Sequence, residues 1–160
     1  RLKLQSKRRA TRTLQSRAAT TVLTPHIGEF KRLFQGIYER QSEKTLPGES
    51  ASRAAIASGA IVMLKGPRSV IASNERRWFN PTSTSALARG GSGDVLTGLM
   101  GGLLATNFKQ DPYKELAPVV ASAVWWHSQA AIHTSEQRTV LGVDPLQLAN
   151  RLDETLQSLV

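Results

Sequence analysis

The stretch Ile61-Val62-Met63-Leu64-Lys65-Gly66-Pro67 decides the fold class. Four apolar residues in a row are what a strand buried on both faces requires. Lys65-Gly66-Pro67 then turns the chain, Ser69-Val70-Ile71-Ala72 follows as a second strand, and Ser73-Asn74-Glu75 leads into Arg77-Trp78-Phe79. Upstream, Ser50 or Ser52 caps a helix that runs to Ser58, with Gly59 as its stop. Gln35 to Glu49 contains Gly36, Pro47 and Gly48 and reads as loop. Gly28 to Phe34 reads as a short helix with Phe30, Leu33 and Phe34 on one side. Thr21-Val22-Leu23-Thr24 is a short β-type run stopped by Pro25, which cannot continue a ladder.

Downstream, residues 80–90 are a loop rich in Pro, Ser, Thr and Gly, and a long helix is expected from Ser92 to Ala105. Leu116 to Ile132 is apolar nearly all round, as a buried helix is. Asp144 caps a last helix from Pro145 to Leu159. Strands alternating with helices give an α/β fold. Three or four strands are few for a doubly wound sheet, so the chain is expected to be part of a larger domain.

The bulk properties narrow the function classes. At 160 residues with 40% hydrophobic content the default is one globular domain. With no cysteine, disulfides, thiolate metal sites and thiol nucleophiles are excluded. No apolar run approaches the roughly 20 residues of a membrane span, and the N-terminus lacks the apolar core of a signal peptide. The formal charge is +9, and Arg1, Lys3, Lys7, Arg8, Arg9, Arg12 and Arg17 supply seven of it before residue 20. That tail has no interleaved aromatics for base stacking, so a solvated segment is expected rather than a nucleic-acid arm. Residues 1–20 are therefore set apart from a folded part over residues 21–160.

Three constellations can carry chemistry. In Arg89-Gly90-Gly91-Ser92-Gly93-Asp94, three glycines at the start of a long helix let amides approach an anion, where the helix dipole favours negative charge. Asp94 there is either a simple cap or a base that takes a proton from an attacking hydroxyl. Ser92 is likewise a cap or a ligand. Thr24-Pro25-His26-Ile27-Gly28-Glu29 ends a strand, where open α/β sheets bind ligands. His26 lies on the turn rather than on an apolar face, while Glu29 suits the helix dipole. Lys65 ends a buried strand, a costly place unless it meets an anion or snorkels to the surface. His127 and His133 lack partners at metal-ligand spacing and read as structural, as do Trp125 and Trp126 in the apolar helix.

Taken together, Thr24 to Glu29, Val62 to Gly66, and Asn80-Pro81-Thr82 leading into Ala88 to Gly98 resemble the C-terminal half of the ADP- or ATP-dependent NAD(P)H-hydrate dehydratases. The resemblance runs from about Val22 to Leu156 and implies a ribokinase-like three-layer sandwich, of which this chain holds only the C-terminal portion. Gly-Gly-Ser-Gly-Asp by itself also suits sugar or vitamin kinases of that fold, whereas Thr-Pro-His-x-Gly-Glu with Lys-Gly is more specific. Hydroxyethylthiazole kinases carry a cysteine where Asp94 stands. Ile27 departs from the family's usual proline. Asn80-Pro81-Thr82-Ser83-Thr84 resembles cyanobacterial members, often fused to an epimerase domain.

The resemblance implies a repair reaction on hydrated NADH or NADPH: phosphorylation of the ring hydroxyl from ADP or ATP, then elimination of phosphate. It implies that His26 contacts the hydrated dinucleotide and that Lys65, Gly66, Pro67, Arg68 and Ser69 line the adenine nucleotide site. Gly90, Gly91, Ser92 and Gly93 would hold the phosphoryl group, with Asp94 as substrate contact and base. Mg2+ is the implied counter-ion, the cytoplasm the implied location, and a homo-oligomer the implied assembly, without nucleic-acid or membrane partners. The alternatives within the same reading are a ribokinase-like small-molecule kinase and an inactive nucleotide-binding fragment.

Overall fold

A computed structural model of the chain describes residues 13–38, 46–111 and 115–157. Most of the basic tail lies outside them. The chain divides into two compact units, Arg1–Phe79 and Asn80–Val160.

The first unit is built on a four-stranded sheet in the order β1 (Val22–Leu23), β2 (Ile61–Leu64), β3 (Val70–Ala72), β4 (Arg77–Phe79). β1 and β2 are parallel, with Val22 opposite Ile61. A parallel pair needs a crossover, and α1 (Ile27–Leu33), α2 (Gln35–Tyr38) and α3 (Pro47–Ser58) lie along it. β2, β3 and β4 are joined by tight turns and run antiparallel, with Met63 opposite Ile71 and Ile71 opposite Trp78. All four β2 residues are buried, as the apolar run requires. Val62, Leu64, Val70 and Ala72 face Ala51, Ala54 and Ala55 of α3 and the tilted ring pair Phe30–Phe34. The small α3 residues let that helix lie close on the sheet.

α3 begins ahead of both serines expected to cap it, three residues before Ser50 and five before Ser52. Pro47 is its first residue and Leu46 its extended N-cap. Proline breaks a helix interior, but at the first position its missing N–H costs nothing and its φ is already helical. The end agrees with expectation: Gly59 stops α3 at φ 66°.

The second unit is helical: α4 (Ser92–Gln110), α5 (Ala117–Arg138), α6 (Pro145–Asn150) and α7 (Leu152–Gln157), with 3-10 turns at Ser85–Leu87 and Val140–Gly142. Its core gathers Ala86, Ala130, Ala131, Val143 and Leu148. α4 and α5 outrun their expected ends because no glycine or proline follows Ala105 or Ile132 within either helix. The last expected helix is instead two. Asp144 caps α6 as anticipated, accepting from the Gln147 amide at 2.9 Å, but the helix breaks at Arg151.

Thr139, just after α5, has φ 117° and ψ 158°, a region that essentially only glycine occupies without strain. Thr139→Gly is therefore expected to stabilise the fold by about 1 kcal/mol, strain relief outweighing the entropic cost of glycine. A urea unfolding midpoint that stays level or falls would contradict this.

Candidate active site

In the first unit, the parallel pairing of β1 with β2 continues into a bridge between His26 and Lys65, with the Lys65 amide donating to the Pro25 carbonyl at 2.9 Å. Both residues thus stand at the carboxyl ends of adjacent parallel strands, where this class of sheet binds ligands. His26 also starts α1. Its Nδ1 accepts from the Gly28 amide at 3.0 Å and the Glu29 amide at 3.4 Å, while Glu29 Oε2 accepts from the His26 amide at 2.9 Å. This reciprocal capping box, absent from the sequence reading, gives Glu29 a definite job. With Nδ1 accepting, the ring hydrogen sits on Nε2, 3.3 Å from Glu29 Oε1. The backbone bond from His26 holds the Glu29 carboxyl below its usual range, helped by the charges of Lys65 and Arg32.

Lys65 is half-buried, Gly66, Pro67 and Arg68 are exposed, and Ser69 is buried. The Ser69 hydroxyl closes the loop, accepting from the Gly66 amide at 3.4 Å and lying 3.3 Å from its carbonyl. Of the five, Ser69 is thus the one that shapes the loop from within.

In the second unit, Gly91 is the N-cap of α4 and holds φ 87°, and no side chain caps the helix. The amides of Gly90, Gly91 and Gly93 have no protein acceptor among the described residues. Free donors at a helix start, with the dipole behind them, are what an anion site consists of. Neither Ser92 nor Asp94 is the cap. Ser92 is buried as the first helical residue, and Asp94 is exposed two positions on. The Asp94 carboxylate has no hydrogen bond or ion pair among the described residues. Arg89, before the turn, donates from Nη2 to the Leu141 carbonyl at 2.6 Å and ties the arm down.

His127 of α5 lies beneath this turn. It is 4% exposed, and its Nε2 is 3.0 Å from the Ser92 carbonyl oxygen. Burial lowers its pKa from 6.5 to about 4, against the opposing pull of the Ser92 bond. A lowered histidine pKa means that the unfolded chain binds the proton first. Stability is whole above pH 6.5 and falls as the pH drops through about 4. The part due to His127 is about 3 kcal/mol. Urea titrations at stepped pH should show this loss in the unchanged chain and its absence in His127→Gln. Parallel curves would contradict it.

Within the first unit, then, the structure gathers His26, Glu29 and Lys65, and within the second Gly90 to Asp94 over His127. The NAD(P)H-hydrate dehydratase family matches the chain over residues 2–154. The chain belongs to that family. A bifunctional NAD(P)H-hydrate repair enzyme from Synechocystis is 54% identical over 140 residues, 87% of this chain and 25% of that protein. The ADP/ATP-dependent NAD(P)H-hydrate dehydratase of Bacillus subtilis, crystallised with ATP and Mg2+, superposes with a TM-score of 0.74 at 27% identity over 91% of this chain and 50% of that one. A ribokinase-like superfamily protein from Enterococcus faecalis gives a TM-score of 0.71 at 24% identity over 92% of this chain and 48% of its own, which supports the fold. The chain thus spans about half of the solved dehydratase and a quarter of the bifunctional relative. The expected α/β, ribokinase-like fold and partial domain hold. No helix among the described residues is long and apolar enough to cross a membrane.

Asn80, quoted in the family motif but given no role from sequence, is buried. Its Nδ2 donates to the Thr82 carbonyl at 2.6 Å and to Ser128 Oγ at 2.8 Å. Neither this bond nor that of His127 has a local signature. They join residues 48 and 35 positions apart.

Proposed function

We propose that this chain is the C-terminal part of an enzyme that restores hydrated NADH or NADPH at the expense of ADP or ATP. The observation that carries the reading is the turn from Gly90 to Asp94 at the start of α4, where three glycine amides and a carboxylate have no partner among the described residues. Asp94 accepts the proton of the nicotinamide ring hydroxyl. The hydroxyl oxygen bonds the terminal phosphorus, and the bond to the leaving nucleotide breaks, releasing AMP from ADP or ADP from ATP. The ring C–O bond then breaks, phosphate departs with the electron pair, and loss of a proton from the neighbouring ring carbon restores the double bond. The amides of Gly90, Gly91 and Gly93 stabilise charge on the phosphoryl oxygens.

In the first unit, Lys65 to Ser69 line the adenine nucleotide and His26 contacts the hydrated dinucleotide. The capping box fits that role, because it holds the imidazole in one tautomer and orientation at the strand end, with Nε2 beside Glu29 Oε1. Mg2+, when bound, neutralises phosphate charge. No three His, Asp or Glu side chains gather as a cage among the described residues, and such ions commonly ride on phosphates with one or two carboxylates. Location in the cytoplasm and assembly as a homo-oligomer belong to the same reading, the latter supported by Ile27 and Leu33 of α1, each about half exposed.

The test is to incubate the folded chain with hydrated NADH, ADP and Mg2+ and to follow the reduced-nicotinamide absorbance. Recovery with release of AMP and phosphate is expected. A stable phosphorylated product would assign a kinase instead, and no reaction would deny activity to this chain by itself.

A further inference from the structure

We propose that His127 is a positioning residue for phosphoryl transfer, acting through the Ser92–Gly93 peptide. This inference rests on the reading of the Gly90–Asp94 turn as the phosphoryl site. A carbonyl oxygen only accepts, so the 3.0 Å contact between Nε2 and Ser92 O places the ring hydrogen on Nε2, donating to the turn. The Ser92 carbonyl shares one rigid plane with the Gly93 amide, and in a trans peptide the C=O and N–H bonds point opposite ways. Holding the carbonyl inward therefore aims the Gly93 N–H outward. That N–H has no protein acceptor among the described residues. Donation to the carbonyl also polarises the peptide and makes the amide a better donor, as in any hydrogen-bond chain.

The surroundings favour positioning over mere filling. A buried polar ring costs stability unless it is bonded, and the only bond the His127 ring makes among the described residues is to this turn. The two residues after it hold the neighbouring loop. Ser128 Oγ accepts from Asn80 at 2.8 Å while donating to the Val124 carbonyl, and Gln129 donates to Thr82 Oγ1 at 2.8 Å. Three consecutive α5 side chains thus fasten the loop that approaches the site and the turn that forms it. The low pKa of His127 keeps the imidazole neutral, so the tautomer that donates persists.

The test compares the unchanged chain with His127→Leu, which fills space without donating, and His127→Gln, which restores a donor. Two readouts are taken on folded protein: the 15N–1H shift of the Gly93 amide and the affinity for ADP with Mg2+. His127→Leu should move the Gly93 resonance and weaken ADP about tenfold, the scale of one hydrogen bond, while His127→Gln recovers most of both. In any form that turns over, the loss should fall on kcat as well as KM. A His127→Leu chain with an unmoved Gly93 resonance and unchanged ADP affinity overturns the proposal, even if its melting temperature falls. Should His127→Leu fail to fold, His127→Gln decides by the same two readouts: values near those of the unchanged chain support the donor role, and values far from them in a folded chain overturn it. If the unchanged chain binds no ADP, the functional reading fails, and the Gly93 resonance alone decides the positioning claim.

Discussion

Asp94→Asn is expected to bind ADP as the unchanged protein does and to lose turnover by about 10²–10⁴-fold, the usual contribution of a general base. The two parts of that result separate because of where Asp94 sits. It is the third residue of α4, exposed and without a partner among the described residues, so its carboxylate supports no bond that the fold needs. Losing its charge weakens the interaction with the helix dipole by well under about 1 kcal/mol. Asparagine keeps the shape and loses the proton acceptor. Initial rates of absorbance recovery, set beside ADP titrations, measure both parts. Equal turnover in the variant would reduce Asp94 to a surface acid. A matched loss of ADP affinity would make it a ligand of the nucleotide instead.

Local chemistry made some of this architecture readable. The apolar run Ile61 to Leu64 announced a strand buried on both faces, Gly59 announced a helix end, and Asp144 before Pro145 announced a helix start. Each depends on residues within one turn of itself. The same rule explains the misses. Pro47 falls in the expected Gln35–Glu49 loop because its effect changes sign with position, and position is set by the helix it begins. The break at Arg151 follows no glycine or proline. His26 was legible as a turn residue at a strand end, but its capping box needed the Glu29 side chain to fold back. The hold of His127 on Ser92 depends on how α5 packs against α4, and no spacing rule reaches across 35 residues. The glycine-rich start of α4 was legible because such helix starts carry their physics locally. What supports the turn from below was not.

Gly91→Ala is expected to destabilise the second unit by about 2–5 kcal/mol and to abolish phosphate binding at the turn. Two costs add. At φ 87° a residue with a Cβ pays roughly 1–2 kcal/mol for the left-handed conformation. A Cβ built at Gly91 would also lie 2.7 Å from Cγ and 3.1 Å from Cβ of Pro145. A flexible side chain would swing away from such a clash, but the proline ring cannot, and Pro145 is the first residue of α6 with Leu148 of that helix in the core. Overpacking of that kind costs about 1–3 kcal/mol. The functional loss follows from the same geometry. If the backbone escapes the strain by turning φ negative, the peptides on either side of Gly91 rotate, and the Gly91 amide, which has no acceptor among the described residues, is redirected. Gly90→Ala is the control. Nothing lies within 4 Å of a Cβ there, and its φ is not positive, so stability should change far less. Urea unfolding gives the first quantity, and ADP titration at a pH where both variants are folded gives the second. If Gly91→Ala matches Gly90→Ala in both, the left-handed cap is not what shapes the site.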